Sequence, residues 1–202
     1  MTTRGRPRKF DRNVALQNAL NVFWAKGFDC TSMPDLVTAM KINSPSIYAA
    51  FGSKEKLFQE TVELYNEMEG GKIWASMDTE PTARLAIQAM LHASAEEFTS
   101  DNKPHGCFIT LGALASEGGN ESIRQDLQRR RKLCISLIQT RLERGESEGE
   151  LPTGQDWSQI AAFYTSLQQG MSIQARDGAS REVLLAVADL AMTTLDGIIA
   201  KN

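Results

Sequence analysis

Residues 31–56 constrain the fold of this chain more than any other stretch, because their order marks the starts of two short helices. Ser32 is followed three residues later by Asp35, an arrangement in which a hydroxyl and a carboxylate cap free backbone amides. After a turn of about three residues, Asn43 or Ser44 caps a second helix. The sequence therefore predicts two short helices that meet at a tight turn.

This helix pair has two interpretations. It is either a helix-turn-helix unit, whose second helix lies in the major groove of DNA, or a helical hairpin inside an all-α core. Hydrophobic periodicity does not separate the two, because both need one apolar face on each helix. The decision therefore depends on the order of the residues.

The segment SPSIYAAFGSKEKLF, preceded by ALNVFWAKGFDCTSM, resembles the DNA-binding domain of the TetR family of bacterial transcription regulators. The likeness covers about residues 10–65. The positions that carry it are Phe23, Gly27, Phe28, Thr31, Tyr48, Phe51, Ser53, Lys54 and Glu55. The resemblance implies an all-α fold, with an N-terminal three-helix helix-turn-helix head and a C-terminal helical body for ligand binding and dimerisation.

The resemblance also implies which side chains contact double-stranded operator DNA. These are Thr31, Ser44, Pro45, Ser46, Tyr48, Ala49, Ala50 and Lys54. Serine hydroxyls bond to phosphates or base edges, and alanine methyls contact the thymine methyl group. The second short helix carries no Arg, Asn or Gln for bidentate base readout. We therefore expect specificity to depend on methyl contacts, on DNA shape and on the segment that precedes the head.

That preceding segment, residues 1–9, is a basic arm that contains Arg4 and Arg6. An extended Arg-Gly-Arg-Pro sequence fits a narrow A·T-rich minor groove, although a solvated tail is the alternative. The first 60 residues hold 9 Lys/Arg against 5 Asp/Glu, and the remainder holds 13 against 20. A basic end on an acidic body suits a protein that presents one end to a polyanion.

Two residues depart from the family pattern. Pro34 stands where many relatives carry a polar or basic residue. Lys41 stands in the turn where relatives usually carry glycine. If that position is left-handed, lysine costs on the order of 1 kcal/mol relative to glycine.

The rest of the chain shows apolar spacing typical of helices and no alternating strand pattern. We predict an arm at 1–9, a helix-turn-helix domain at 10–66 and a helical regulatory and dimerisation domain at 67–202. A long helix is expected from Glu121 to about Glu146, with Leu133 and Leu137 facing inward and residues 129–132 facing outward. The resemblance implies that the last two helices form a homodimer interface.

Members of the family usually bind a small molecule in the body and then release DNA. The candidate pocket residues are bulky and adaptable: Trp74, Met77, Met90, Phe108, Trp157, Tyr164 and Met171. The alternative is that most of them only fill the core. Cys107, two residues after His105, is a candidate redox or electrophile sensor, and a buried, inert thiol is its alternative.

Other classes of function find little support in the sequence. The chain has three cysteines at irregular spacing and no apolar run that suits a signal peptide or a membrane span. It has two histidines and no metal-ligand spacing, no catalytic motif and no cofactor motif. We therefore expect a cytoplasmic, homodimeric DNA-binding regulator, a repressor released by a small molecule. The alternatives are thiol-based sensing through Cys107 and, more remotely, a helical enzyme.

Overall fold

The computed structural model describes residues 10–113 and 120–200, and the basic arm with Arg4 and Arg6 lies outside them. Within these ranges the chain is helical and contains no strand. The head contains α1 (Arg12–Lys26), α2 (Met33–Met40), α3 (Ser44–Phe51) and α4 (Lys54–Tyr65). The body contains α5 (Gly71–Trp74), α6 (Ser76–Thr79), α7 (Ala83–Phe98), α8 (Phe108–Leu111), α9 (Glu121–Ser147), α10 (Trp157–Arg176) and α11 (Arg181–Ile199).

The helix starts in the head follow from local hydrogen bonds. The Ser32 side chain accepts from the Asp35 amide and the Asp35 carboxylate accepts from the Ser32 amide, so the predicted capping box at α2 is confirmed. Asn43, rather than Ser44, caps α3, because its side-chain oxygen accepts from the Ser46 amide at 2.9 Å. The sequence alone left these two caps undecided.

The turn between α2 and α3 contains a strained residue. Lys41 has φ 57° and ψ 35°, which is the left-handed conformation. The expected cost of lysine at this position, on the order of 1 kcal/mol relative to glycine, therefore applies. The Asn43 cap at the start of α3, on one side of the turn, offsets part of it.

The head core is built from aromatic rings. The Phe58 ring packs edge-on against Phe23 and Phe28, with centroids 5.1 and 5.2 Å apart. Phe108 of α8 packs against the same ring at 5.2 Å. Head and body therefore share one apolar cluster, although the sequence predicts a boundary at residue 66.

In the body, α7 packs against α9, α10 and α11. Its core includes Met90, Leu91, Phe98, Ile138, Leu142, Tyr164 and Leu195. A π-helical segment, Asn66–Gly70, joins α4 to α5, so the chain stays helical from the head into the body. No helix in the described ranges is both long enough and apolar enough to cross a membrane.

The orientation of α9 differs from the sequence prediction. Leu133 and Leu137 are 57% and 44% exposed, whereas Arg131 is half-buried. The stripe of α9 that packs on the body repeats at intervals of three and four residues and contains Leu127, Arg131, Cys134, Ile138 and Leu142. The predicted inner face of α9 was wrong because it was assigned from apolar residues, whereas the observed inner face includes an arginine and a cysteine.

Candidate nucleic-acid interface and the cavity behind it

One side of α3 faces outward and is free of charge. Pro45, Tyr48 and Ala49 are exposed, and Tyr48 is 47% exposed. Their neighbours Ser44, Ser46 and Ala50 are half-buried. We call these six residues the recognition face. Its chemistry is hydroxyl and methyl groups on a rigid helix.

The opposite side of α3 is fixed in the head. Ile47 and Phe51 are buried. The Arg12 guanidinium lies 4.4 Å from the centre of the Phe51 ring and 2.7 Å from a Glu60 carboxylate oxygen. It also donates to the Ala50 carbonyl at 3.4 Å. Contacts from α1 and α4 thus hold the angle of α3.

Two of the side chains assigned to DNA by resemblance have other contacts. Thr31 is 1% exposed and its hydroxyl donates to the Gly27 carbonyl at 2.6 Å. Its side chain is therefore part of the α1–α2 corner rather than a surface group, which corrects the expected phosphate contact. The Lys54 ammonium lies 4.3 Å from the centre of the Phe28 ring, and burial lowers the pKa of Lys54. Lys54 remains half-buried and near α3.

Behind the head lies a cavity of about 180 Å³. It is bordered by α4, the π-helical segment, α5, α7, α8, α9 and α10. Its lining residues include Tyr65, Trp74, Cys107, Arg131, Cys134 and Gln168. We call it the Cys107 cavity. Head and body helices both contribute to its walls.

Cys107 is held at the head–body boundary. The Tyr65 hydroxyl donates to the Cys107 sulfur at 3.4 Å, and the Cys107 amide donates to the Ser172 hydroxyl at 2.7 Å. Burial raises the pKa of Tyr65, so Tyr65 stays a neutral donor. The sequence placed His105 in this role, but the hydrogen bond to the sulfur comes from Tyr65 instead. Cys134 lies in the same cavity, where burial raises its pKa to about 12.

The comparisons with known proteins agree with this architecture. Residues 15–61 match the family model described as bacterial regulatory proteins, tetR family. Residues 83–190, more than half of the chain, match the model described as transcriptional regulator LmrA/YxaF-like, C-terminal domain. The chain belongs to the TetR family of transcriptional regulators.

Individual relatives can be aligned with nearly the whole length of this chain. The HTH-type transcriptional repressor ComR of Escherichia coli is 35% identical over 187 residues, which are 92% of this chain and 89% of ComR. The HTH-type transcriptional repressor BdcR of the same species is 26% identical and covers 96% and 94%. A solved structure of a cysteine mutant of the regulator CifR, complexed with 26-base-pair operator DNA, has TM-score 0.90 and 40% identity, and covers 93% and 98%.

The seven predicted pocket residues of this TetR-family chain do not come together. Trp74 lines the Cys107 cavity, whereas Met77 and Met171 line two separate surface grooves. The remaining four, Met90, Phe108, Trp157 and Tyr164, are fully or nearly fully buried core residues. Large apolar side chains fill cores more often than they line cavities, and this corrects the prediction for those four.

Sequence reasoning missed Arg131, Cys134 and Gln168 as lining residues. Arg131 was missed because residues 129–132 were predicted to lie on the outer side of α9. The spacing of the two α9 residues from Leu127 and Ile138, which are both buried, would have placed them on the inner stripe.

The described residues contain no group of three or more metal-ligating side chains.

Residues 105–112, which we call the Cys107 segment, are bonded directly to the head. The Trp24 indole donates to the Gly106 carbonyl at 3.1 Å, and the Phe28 amide donates to the Gly112 carbonyl at 2.8 Å. Gly106 has φ 79°, and a Cβ there would lie 2.6 Å from the Ser172 carbonyl oxygen. Only glycine fits this close approach. A displacement of the segment would therefore act on α1 and its C-terminal corner.

Arg176 of α10 bonds to both the head and the segment that carries Cys107. We call the contacts among the end of α1, residues 105–112 and Arg176 the joint. Its Nε donates to the His105 carbonyl at 2.8 Å, and its two Nη atoms donate to the Trp24 and Ala25 carbonyls at 2.9 and 3.0 Å. Trp24 and Ala25 lie in the last turn of α1, where carbonyls lack helical partners and a cation is favoured. One side chain thus ties the head, the Cys107 segment and the body together.

Proposed function

We propose that this chain is a homodimeric repressor that binds operator DNA in the cytoplasm and is released when a small molecule enters the Cys107 cavity. The recognition face carries the proposal, because it is exposed and uncharged while its helix is locked into the head core. The CifR mutant, 40% identical to this chain, is complexed with operator DNA, which supports the same partner here.

Within the proposed complex the recognition face enters the major groove. Ser44 and Ser46 offer hydroxyls to phosphates or base edges, and Tyr48 donates its hydroxyl to a phosphate. Pro45 and Ala49 contact thymine methyl groups. Readout by methyl contacts and shape follows from the absence of Arg, Asn and Gln on α3.

Three further groups complete the proposed DNA surface. Ala50 lies at the edge of the recognition face, half-buried. Lys54 follows α3 and supplies positive charge near the phosphates, although its contact with Phe28 limits its reach. Arg4 and Arg6 of the arm are proposed to enter the adjacent minor groove, as the sequence suggested.

The proposed homodimer pairs α10 and α11 with their copies. Both helices carry large apolar side chains on the surface: Phe163 and Ile173 on α10, and Val183 and Leu190 on α11, with Leu190 71% exposed. An apolar surface of this kind on two neighbouring helices suits a four-helix interface around a two-fold axis. Such a dimer presents two recognition faces to two half-sites.

Genomic selection tests the proposed partner. The purified chain is incubated with sheared DNA of its source organism, and the bound fragments are sequenced. We expect enrichment of inverted repeats whose half-sites lie about one helical turn (~34 Å) or a multiple of it apart, because a two-fold dimer reads a two-fold site. Enrichment without sequence preference, or equal affinity for all fragments at one salt concentration, would contradict specific readout.

The contacts at the joint suggest how the cavity controls the head. Tyr65 of α4 and Cys107 both line the cavity, and they are bonded to each other. The backbone on either side of Cys107 holds Trp24 and Phe28 of the head. A molecule that displaces this segment would change the angle of the head in each protomer. The two recognition faces would then no longer match the half-site spacing.

A second candidate function is thiol-based sensing through Cys107. The observation that favours it is the position of the sulfur, which lines a cavity and accepts a hydrogen bond from Tyr65. Covalent addition would then expand the side chain at the joint itself.

Replacing Cys107 with serine separates the two candidate functions. In a Cys30→Ser background, N-ethylmaleimide should weaken operator binding of the parent about tenfold or more, because a bulky adduct at the joint displaces the head. The Cys107→Ser variant should keep its affinity after the same treatment. Operator affinity is measured by fluorescence anisotropy before and after the reagent.

Cys134→Ser is the matched control, because Cys134 lines the same cavity but burial raises its pKa to about 12. It should respond to N-ethylmaleimide as the parent does. Release of the Cys107→Ser variant to the same extent as the parent would remove Cys107 from the mechanism and leave reversible ligand binding.

A further inference from the structure

Among the described residues, the walls of the Cys107 cavity carry a positive charge without a negative partner. No Asp or Glu is among the described residues that line it, whereas Arg130 and Arg131 are. Arg130 is already paired with Asp126 at 3.0 Å and with Glu63. Arg131 has no carboxylate within ion-pair distance in the described ranges. Among the described residues it is the cation of this cavity that lacks a carboxylate partner.

Arg131 has most of its hydrogen-bonding capacity unused. Its Nη1 donates to the Ile109 carbonyl at 2.9 Å, and no other hydrogen bond is formed to described residues. A guanidinium has five N–H donors in a planar fork that matches a carboxylate. Burial lowers the pKa of Arg131, because its charged form loses solvation, and no described carboxylate restores it. An anion in the cavity would restore it.

The rest of the lining limits the size and polarity of such an anion. The volume of about 180 Å³ is below the ~300 Å³ at which drug-sized sites begin. Apart from the arginines, the walls include Ile73, Trp74 and Phe98, together with the neutral amide of Gln168. The cavity therefore suits a short molecule that has one anionic group and an apolar remainder.

We infer that the effector is a small organic acid whose carboxylate binds Arg131 and whose apolar part lies against Trp74, next to the Cys107 sulfur. This inference rests on the proposed function only in treating the cavity as the effector site. Binding at Arg131 would also compete for its bond to the Ile109 carbonyl. Because Ile109 is in α8 and packs in the head core cluster, the carboxylate would loosen the same joint that Cys107 occupies.

A pair of alkylating reagents tests this charge preference directly. Iodoacetate and iodoacetamide differ in whether the small group next to the reacting carbon is a carboxylate or an amide. In both reactions the Cys107 sulfur bonds to the methylene carbon, the carbon–iodine bond breaks, iodide leaves with the electron pair, and the thiol proton passes to solvent. The rate at Cys107 is measured by mass spectrometry on the full chain without DNA.

The measured quantity is the iodoacetate rate divided by the iodoacetamide rate. We expect Arg131→Met to lower this ratio at Cys107 about tenfold or more, because a nearby cation attracts only the anionic reagent. A change in the reactivity of the thiol itself cancels, because it affects both reagents. Exposed Cys30 serves as the internal reference, and its ratio should not change.

Arg129→Met is the matched control, since Arg129 is an exposed arginine on the same helix and does not line the cavity. The ratio of the iodoacetate rate to the iodoacetamide rate at Cys107 should be the same in Arg129→Met as in the parent. Arg131→Lys keeps the positive charge and should retain part of the preference for iodoacetate. An equal ratio in Arg131→Met and the parent would overturn the inference, as would a Cys107 that reacts with neither reagent. Operator affinity of untreated protein is measured separately, so failure of the repressor proposal would be seen independently.

Discussion

The Ala49→Glu variant should bind operator DNA roughly 100-fold more weakly than the parent, a loss of about 3 kcal/mol for a dimer that presents the residue twice. Ala49 is exposed in the middle of the recognition face, and its neighbours Tyr48 and Pro45 are exposed too. A carboxylate there would meet DNA phosphates and would replace a methyl contact by an unpaired charge. Binding is measured by fluorescence anisotropy on the selected operator.

Gln128→Glu is the control for this substitution. It adds the same charge to each protomer at an exposed position of α9 in the body. We expect its affinity to stay within about threefold of the parent, because exposed charges at a distance are screened by salt. Both variants should unfold at the temperature of the parent within a few degrees, since surface substitutions change stability little. Equal affinities of Ala49→Glu and Gln128→Glu would mean that α3 is not the reading helix.

The Arg176→Met variant should lower the free energy of unfolding by about 2–4 kcal/mol, because two half-buried carbonyls and one exposed carbonyl lose a charged donor. The lost partners are the carbonyls of Trp24, Ala25 and His105. Methionine keeps the length of the side chain, so packing along the stem is largely preserved. The free energy is obtained from urea unfolding followed by circular dichroism.

The same variant should also weaken communication between the cavity and the head. Hydrogen exchange should accelerate at the C-terminal turn of α1 and in the Cys107 segment, which Arg176 joins. Arg181→Met is the control, because Arg181 is exposed and its nearest carboxylate, on Glu182, is 3.9 Å away. It should change stability by no more than about 0.5 kcal/mol. If Arg176→Met is as stable as Arg181→Met, the three hydrogen bonds of Arg176 do not contribute to the free energy of unfolding.

The sequence predicted the head well because its signals are local. The Ser32–Asp35 capping box, the left-handed turn at Lys41 and the ends of α3 each depend on residues a few positions apart. Backbone amides at a helix start must find partners nearby, so cap and turn residues record the helix boundaries in the sequence itself.

The cavity could not be predicted in the same way. Its lining comes from seven helical elements, and residues such as Tyr65 and Gln168 are separated by about half of the chain. Bulk and polarity are poor guides to which side chains line a void. Tyr164, for example, is large and has a hydroxyl, but that hydroxyl donates to the Ala191 carbonyl inside the core. Arg131, which sequence reasoning assigned to solvent, lies at the wall instead.

The sequence by itself predicted the all-α fold class, the short and uncharged second helix of the helix-turn-helix, and the family that the chain resembles. Tertiary structure decided that Thr31 faces inward and that body residues such as Phe108 pack into the head core. It also decided that a cysteine and an arginine without a carboxylate partner among the described residues meet in one cavity. The physical reason is the distance along the sequence over which each kind of interaction acts. Capping bonds and helical spacing act over a few residues, whereas a cavity depends on how distant helices pack, and many sequences with the same local signals pack differently.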